Sequence, residues 1–112
     1  MNDQARKNLI DIFQAAQEIQ NFVCGMDFKA YQNHAVTQRA VERDFEIIGE
    51  ALYRIKNTDD ELLEKISEHR RIIGFRNILI HGYDIVDEAI VWQAVTNHLP
   101  ILIREIKEIL ST

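Results

Sequence analysis

A chain of 112 residues, 46% of them hydrophobic, has room for one domain around one core. Its formal net charge of −5 counts against a non-specific nucleic-acid binder with a broad basic face, so any contact with RNA has to rest on local positive charge. A lone Cys24 excludes an internal disulfide and a cysteine metal site and fits a reducing cytoplasm. The polar opening Met1-Asn2-Asp3-Gln4 is unlike a secretory leader, and no run nears the roughly 18–20 apolar residues of a membrane span.

With one proline and four glycines the chain is poor in breakers, which favours long helices. A first helix is expected from about Asp3 to Val23, where Leu9, Ile12, Phe13, Ala16, Ile19 and Val23 recur at three and four residues. Gly25 is placed to end it as a left-handed cap, and a loop or single turn follows from Met26 to His34. A second helix spans about Ala35 to Lys56. Val41, Phe45, Ile48, Leu52 and Ile55 form a narrow 4-3-4-3 seam, with Arg39, Arg43, Glu46, Glu50 and Arg54 gathered opposite. Thr58 and Glu61 have the spacing of a capping box for a short helix carrying Leu62, Leu63 and Ile66. Ser67-Glu68 breaks or restarts the chain before a third long helix. A last helix runs from about Val86 to Leu110 on Trp92, Val95, Leu99, Leu102, Ile106 and Ile109, with a kink or restart expected at Pro100. No strand-like alternation, repeat or linker interrupts this. The fold class is all-α, an antiparallel bundle of four to five helices over residues 1–112.

The chemistry concentrates in His69–Tyr83, a stretch with three arginines, two histidines and no acid, although residues 28–41 are equally acid-free. On a helical wheel Arg76 lies centrally between Ile73 and Ile80 on one side and Ile72 and Leu79 on the other. Phe75 and Ile78 extend the apolar surface, so the helix is expected to be buried nearly all round except for a thin strip of Arg70, Gly74, Asn77 and His81. An arginine there cannot shed its proton. It requires a carboxylate, for which Glu50 or Glu46 is placed, or a phosphate that its fork of donors suits. His81-Gly82 reads as a helix C-terminus, where the dipole favours a protonated imidazole and a histidine can exchange protons. The same residues also read as a helix cap, a structural ion pair and, in Tyr83, a core side chain with its hydroxyl at the surface. Periodicity alone leaves both readings open.

Arg76-Asn77-Ile78-Leu79-Ile80-His81-Gly82-Tyr83 resembles the R-x4-H-x-Y signature of HEPN-domain ribonuclease toxins, in the HepT-like branch that partners minimal nucleotidyltransferase (MNT-type) antitoxins. The run Gln38–Ala51 is similar to that branch's second helix, and Ile90-Val91-Trp92 to Leu99-Pro100 to its last. The resemblance implies a cytoplasmic toxin of a type II toxin–antitoxin pair: a metal-independent endoribonuclease with no cofactor, in which the substrate's 2′-hydroxyl attacks the adjacent phosphate. His81 would be general acid or base, Arg76 would neutralise the phosphorane, and Asn77 would orient the phosphate or the histidine. Arg43, Glu50 and Arg70 would be supports, though a solvated charge ladder accounts for Arg43 and Glu50 as well. The resemblance further implies a homodimer with both motifs facing one cleft, and a cognate antitoxin that transfers AMP onto Tyr83. Two other classes stay open on the residues: a non-catalytic nucleotide- or substrate-binding subunit of a two-chain nucleotidyltransferase, and a purely structural dimerisation module.

Overall fold

The computed structural model describes residues 1–81 and 86–112. Helix α1 spans Asp3–Phe22, α2 Phe28–Gln32, α3 Ala35–Thr58, α4 Asp60–Glu64, α5 His69–His81, α6 Glu88–Gln93 and α7 Leu99–Leu110, with a π-helical turn at Ala94–His98 joining the last two. The architecture is all-α. Among the described residues there is no strand, and no helix is long and apolar enough to cross a membrane.

Helix α3 is the central element, packed against α1 on one side and α5 on the other, while α7 closes onto α1. Its predicted seam carries this role, for Val41, Phe45, Ile48, Leu52 and Ile55 are all fully buried. They meet Leu9, Ile12 and Ile19 of α1 and Ile72, Phe75 and Leu79 of α5 in one core. Phe45 and Phe75 stand edge to face with centroids 5.1 Å apart, a geometry suited to the ring quadrupoles.

Local chemistry sets the helix ends. Asn2 caps α1 by accepting from the Ala5 N–H at 2.7 Å, and Gly25 takes φ +80°, the left-handed conformation expected beyond that helix. The Met26–His34 loop contains the one-turn helix α2, capped by Asp27. The capping box expected from Thr58 is displaced by one residue: Asp59 accepts from Leu62 N–H at 3.1 Å, while the Thr58 hydroxyl donates back to Arg54 O. A carboxylate is the stronger N-terminal acceptor, so Asp59 takes the cap. Ser67 breaks the chain as expected, and its N–H and hydroxyl both donate to Glu105 of α7 at 3.0 Å, which anchors the start of α5. Pro100 resolves the kink-or-restart question by a widened turn. The Leu99 N–H reaches back five residues to Ala94 O, and the proline falls in the first turn of α7, where its missing N–H costs little.

Between α1 and α3 the buried Asp44 faces Glu18, with Asp11 of α1 beside them and Arg43 adjacent on its own helix. Burial, then the hydrogen bond and repulsion from Glu18, push the Asp44 carboxyl up to about 7, above its ordinary value of 3.8. A raised carboxyl binds its proton more tightly in the folded state, so its stabilisation is complete below about pH 4 and is lost as pH rises towards 7. Asp44→Asn should therefore stabilise the protein at pH 8 by on the order of 2 kcal/mol and flatten the decline in melting temperature between pH 5 and 8. An unchanged pH profile in thermal melts would contradict this.

Candidate active site

The position of Arg76 is fixed by a glycine on another helix. A Cβ added at Gly49 of α3 would overlap the Arg76 Cβ and lie 2.7 Å from its Cγ and 3.4 Å from Ile72 O, so α5 crosses α3 at a point only glycine allows. The Arg76 stem lies in this crossing and its guanidinium runs outward along α3. Nη2 lies 3.8 Å from Glu50 Oε1, Nη1 donates to Asn77 Oδ1 at 3.0 Å, and Cζ sits 5.9 Å from the Tyr53 ring centroid. Of the two carboxylates placed to meet it, Glu50 is the partner, because Glu46 pairs with Arg43 at 3.2 Å. Glu50 is itself shared, its second oxygen lying 3.8 Å from Arg54.

This pairing neutralises Arg76 without saturating it. A separation of 3.8 Å is beyond hydrogen-bond range, whereas a guanidinium locked into a structural pair typically binds a carboxylate by two short bonds. The Arg76 Nε is buried with no acceptor among the described residues. With 23% of its side chain exposed, the group keeps donor capacity for an anion arriving from solvent.

Asn77 and His81 project from the neighbouring face. They are four residues apart, hence about 40° apart round the helix, while Arg76 leaves α5 about 140° from His81. Asn77 is the link, exposed beside His81 and holding the guanidinium through its side-chain oxygen. His81 is the last residue of α5 and is exposed. Arg70 and Gly74 continue the strip. They line both a groove of about 410 Å³, shared with Lys56, Asp60, His69 and Asn77, and one of about 360 Å³ on the other flank of the strip. Arg43 stays with its surface ladder, 64% exposed and paired to Glu46, and is not brought to Arg76. Tyr83 and Gly82 lie outside the described residues. No group of three or more His, Cys, Asp or Glu side chains able to hold a metal comes together among the described residues.

The expectation of a helix buried nearly all round is corrected: Ile72, Phe75 and Leu79 are buried, but Ile73 and Ile80 are only half-buried and Ile78 is 52% exposed. The reason is that α3 covers one side of α5 only. Sequence reasoning also missed Gly49 and Tyr53 as neighbours of Arg76. A glycine inside a strongly periodic helix was the available signal for the first, since it costs about 1 kcal/mol against alanine and demands a reason. Tyr53 follows Glu50 by three residues on the same face and could have been read from that spacing.

Comparison with known proteins identifies the family. The family described as "Ribonuclease HepT-like" matches residues 12–109. A Methanocaldococcus jannaschii protein named "Putative RNase MJ1380" is 32% identical over 88% of this chain and 90% of its own length. "Putative RNase TTE0752" of Caldanaerobacter subterraneus is 36% identical over 95% of this chain and 94% of its own length. "Probable ribonuclease HepT" of Thermococcus cleftensis is 36% identical over 84% of each chain. No solved structure matches. A half-buried arginine held open towards solvent, on a helix that ends in histidine, thus occurs in a chain that belongs to the HepT-like ribonuclease family of HEPN domains.

Proposed function

We propose that this chain is a metal-independent endoribonuclease whose active site is Arg76, Asn77 and His81, and that it acts as the toxin of a toxin–antitoxin pair. The observation that carries the site assignment is the unsaturated guanidinium: Arg76 is neutralised by Glu50 at 3.8 Å and steadied by Asn77 at 3.0 Å, with no acceptor on Nε among the described residues. In the reaction the O2′–P bond forms as the P–O5′ bond breaks. His81 takes the 2′-proton or delivers one to the departing 5′-oxygen, and Arg76 neutralises the charge gathering on the non-bridging oxygens. Asn77 keeps the guanidinium on the side of the helix nearest the imidazole.

Arg76 and His81 diverge by about 140° on one helix, and a homodimer with both motifs turned to one cleft would bring a phosphate within reach of both groups. Tyr83, two residues beyond His81, is the acceptor proposed for AMP from a cognate MNT-type nucleotidyltransferase. A phosphoryl group there adds negative charge and bulk beside the motif and repels the incoming phosphodiester.

The test is cleavage of RNA by purified protein in the presence of a chelator, with the ends analysed. Products should carry 2′,3′-cyclic phosphate and 5′-hydroxyl ends. His81→Ala should keep its helical circular dichroism while cleavage falls roughly 10²–10⁴-fold, the usual contribution of a positioned acid–base group. Cleavage that survives both Arg76→Ala and His81→Ala overturns the assignment. Tight nucleotide binding with no RNA turnover would point instead to the non-catalytic subunit.

A further inference from the structure

Gly74 packs against nothing among the described residues. A Cβ built there meets nothing within 4 Å, in contrast to Gly49, where it would strike Arg76. Glycine in the middle of a helix is unfavourable relative to alanine. Among the described residues nothing offsets this cost, and the bare backbone leaves room for another molecule to approach the helix closely.

The surroundings indicate what approaches. Gly74 forms a saddle between the two grooves that flank the strip, each of which also includes Arg70. The second groove, about 360 Å³, is within the usual range of small-ligand clefts, roughly 300–1,000 Å³. Phe75, Ile78, Ile90 and Ala94 give it apolar walls, Gln93 adds an amide, and Arg70, Arg71 and His98 stand at its edge. Among the described residues no carboxylate lines it. Glu68 lies nearby, paired at 3.2 Å to both Arg71 and His98, while the first groove carries Asp60 and Glu64 on its far side. Ile78 and Ile90 are each 52% exposed and form an apolar rim. A second copy seated directly on this face would set Arg70 against its own kind, so in the proposed homodimer the strip lines the shared cleft rather than the contact between copies, and an anionic strand fits that cleft.

We infer that the α5–α6 groove is a nucleobase subsite for single-stranded RNA, whose backbone crosses α5 over Gly74 and whose base rests against Phe75, Ile78 and Ile90. An unpaired base can leave its stack and lie on such an apolar surface with an amide in reach of its edge, whereas a duplex hides its bases. The phosphate next to that base then lies along Arg70, Asn77 and His81, the strip assigned to catalysis. The subsite rests on RNA being the substrate proposed above.

The experiment measures binding by the cleavage-deficient His81→Ala protein of a fluorescein-labelled ten-nucleotide single-stranded RNA, using anisotropy. Adding Gly74→Ala should raise the melting temperature by about 3–6 °C, as an unopposed Gly→Ala in a helix does, yet weaken RNA binding at least fivefold. Ile90→Glu, at an exposed rim position, should weaken it about tenfold, and a blunt duplex of the same length should bind more weakly than the single strand. If either variant binds as tightly as its parent, or duplex and single strand bind alike, the subsite is overturned. A shift in sedimentation on Gly74→Ala with RNA affinity intact would overturn it in favour of a second copy of the chain. Binding with these sensitivities by a wild-type protein that leaves RNA uncut would sink the catalytic reading and leave the subsite standing.

Discussion

Arg76→Met should reduce RNA cleavage by roughly 10²–10³-fold, the scale set by removing one donor to a transition-state oxyanion, while costing no more than about 1 kcal/mol of stability. The two effects separate because of how the arginine is held. Its partner Glu50 is 34% exposed and 3.8 Å away, and it keeps Arg54 at the same distance when Arg76 is gone. A carboxylate so placed is hydrated and still paired, unlike the stranded charge that makes the loss of one member of a buried pair expensive. Methionine retains the apolar stem that fills the crossing with Gly49. Denaturant unfolding and initial cleavage rates on the same preparation give both numbers. A loss of several kcal/mol with activity intact would make Arg76 a structural ion pair and return the chain to the class of dimerisation modules.

Gly49→Ala should be more damaging to the fold than any change to the motif itself. Alanine is the better helix former by about 1 kcal/mol, yet its methyl would overlap the Arg76 stem, so α3 and α5 must separate. Overpacking of this kind costs about 1–3 kcal/mol, and for a chain of this size a net loss near 2 kcal/mol lowers the melting temperature by roughly 10 °C. Cleavage should fall by about 10²-fold even though every motif residue remains, because a displacement near 1 Å is enough to misplace a catalytic group. Melting at or above the wild-type temperature would mean the helices do not cross this closely. Gly74→Ala is the natural companion, the same substitution with the opposite sign on stability, since open space replaces the clash.

These two glycines mark the limit of what the sequence discloses. Both sit inside helices and each is anomalous there for the same entropic reason, although a wheel sets Gly49 beside the apolar seam of α3 and Gly74 in the polar strip of α5. Only the packing of α5 on α3 shows that one meets the arginine stem and the other open space. The acidic partner of Arg76 follows the same pattern: Glu46 and Glu50 share a face of α3 one turn apart, and the depth at which α5 crosses decides that Glu50 meets the arginine while Glu46 turns to Arg43. The polar strip of Arg70, Gly74, Asn77 and His81 was legible from four-three-four spacing. The exposure of Ile78 was not, because hydrophobicity does not say which apolar side chains a single chain has enough neighbours to cover.

The sequence by itself determined the helices, the buried seam of α3 and the arginine set among apolar residues on the helix that carries His81, because helical period and capping are local properties of the chain. Tertiary structure decided which carboxylate neutralises Arg76, how closely two helices approach at Gly49 and which groove opens beside the motif. Those depend on distances between residues far apart in the chain, and side-chain pattern fixes the direction a residue points but not what stands opposite it.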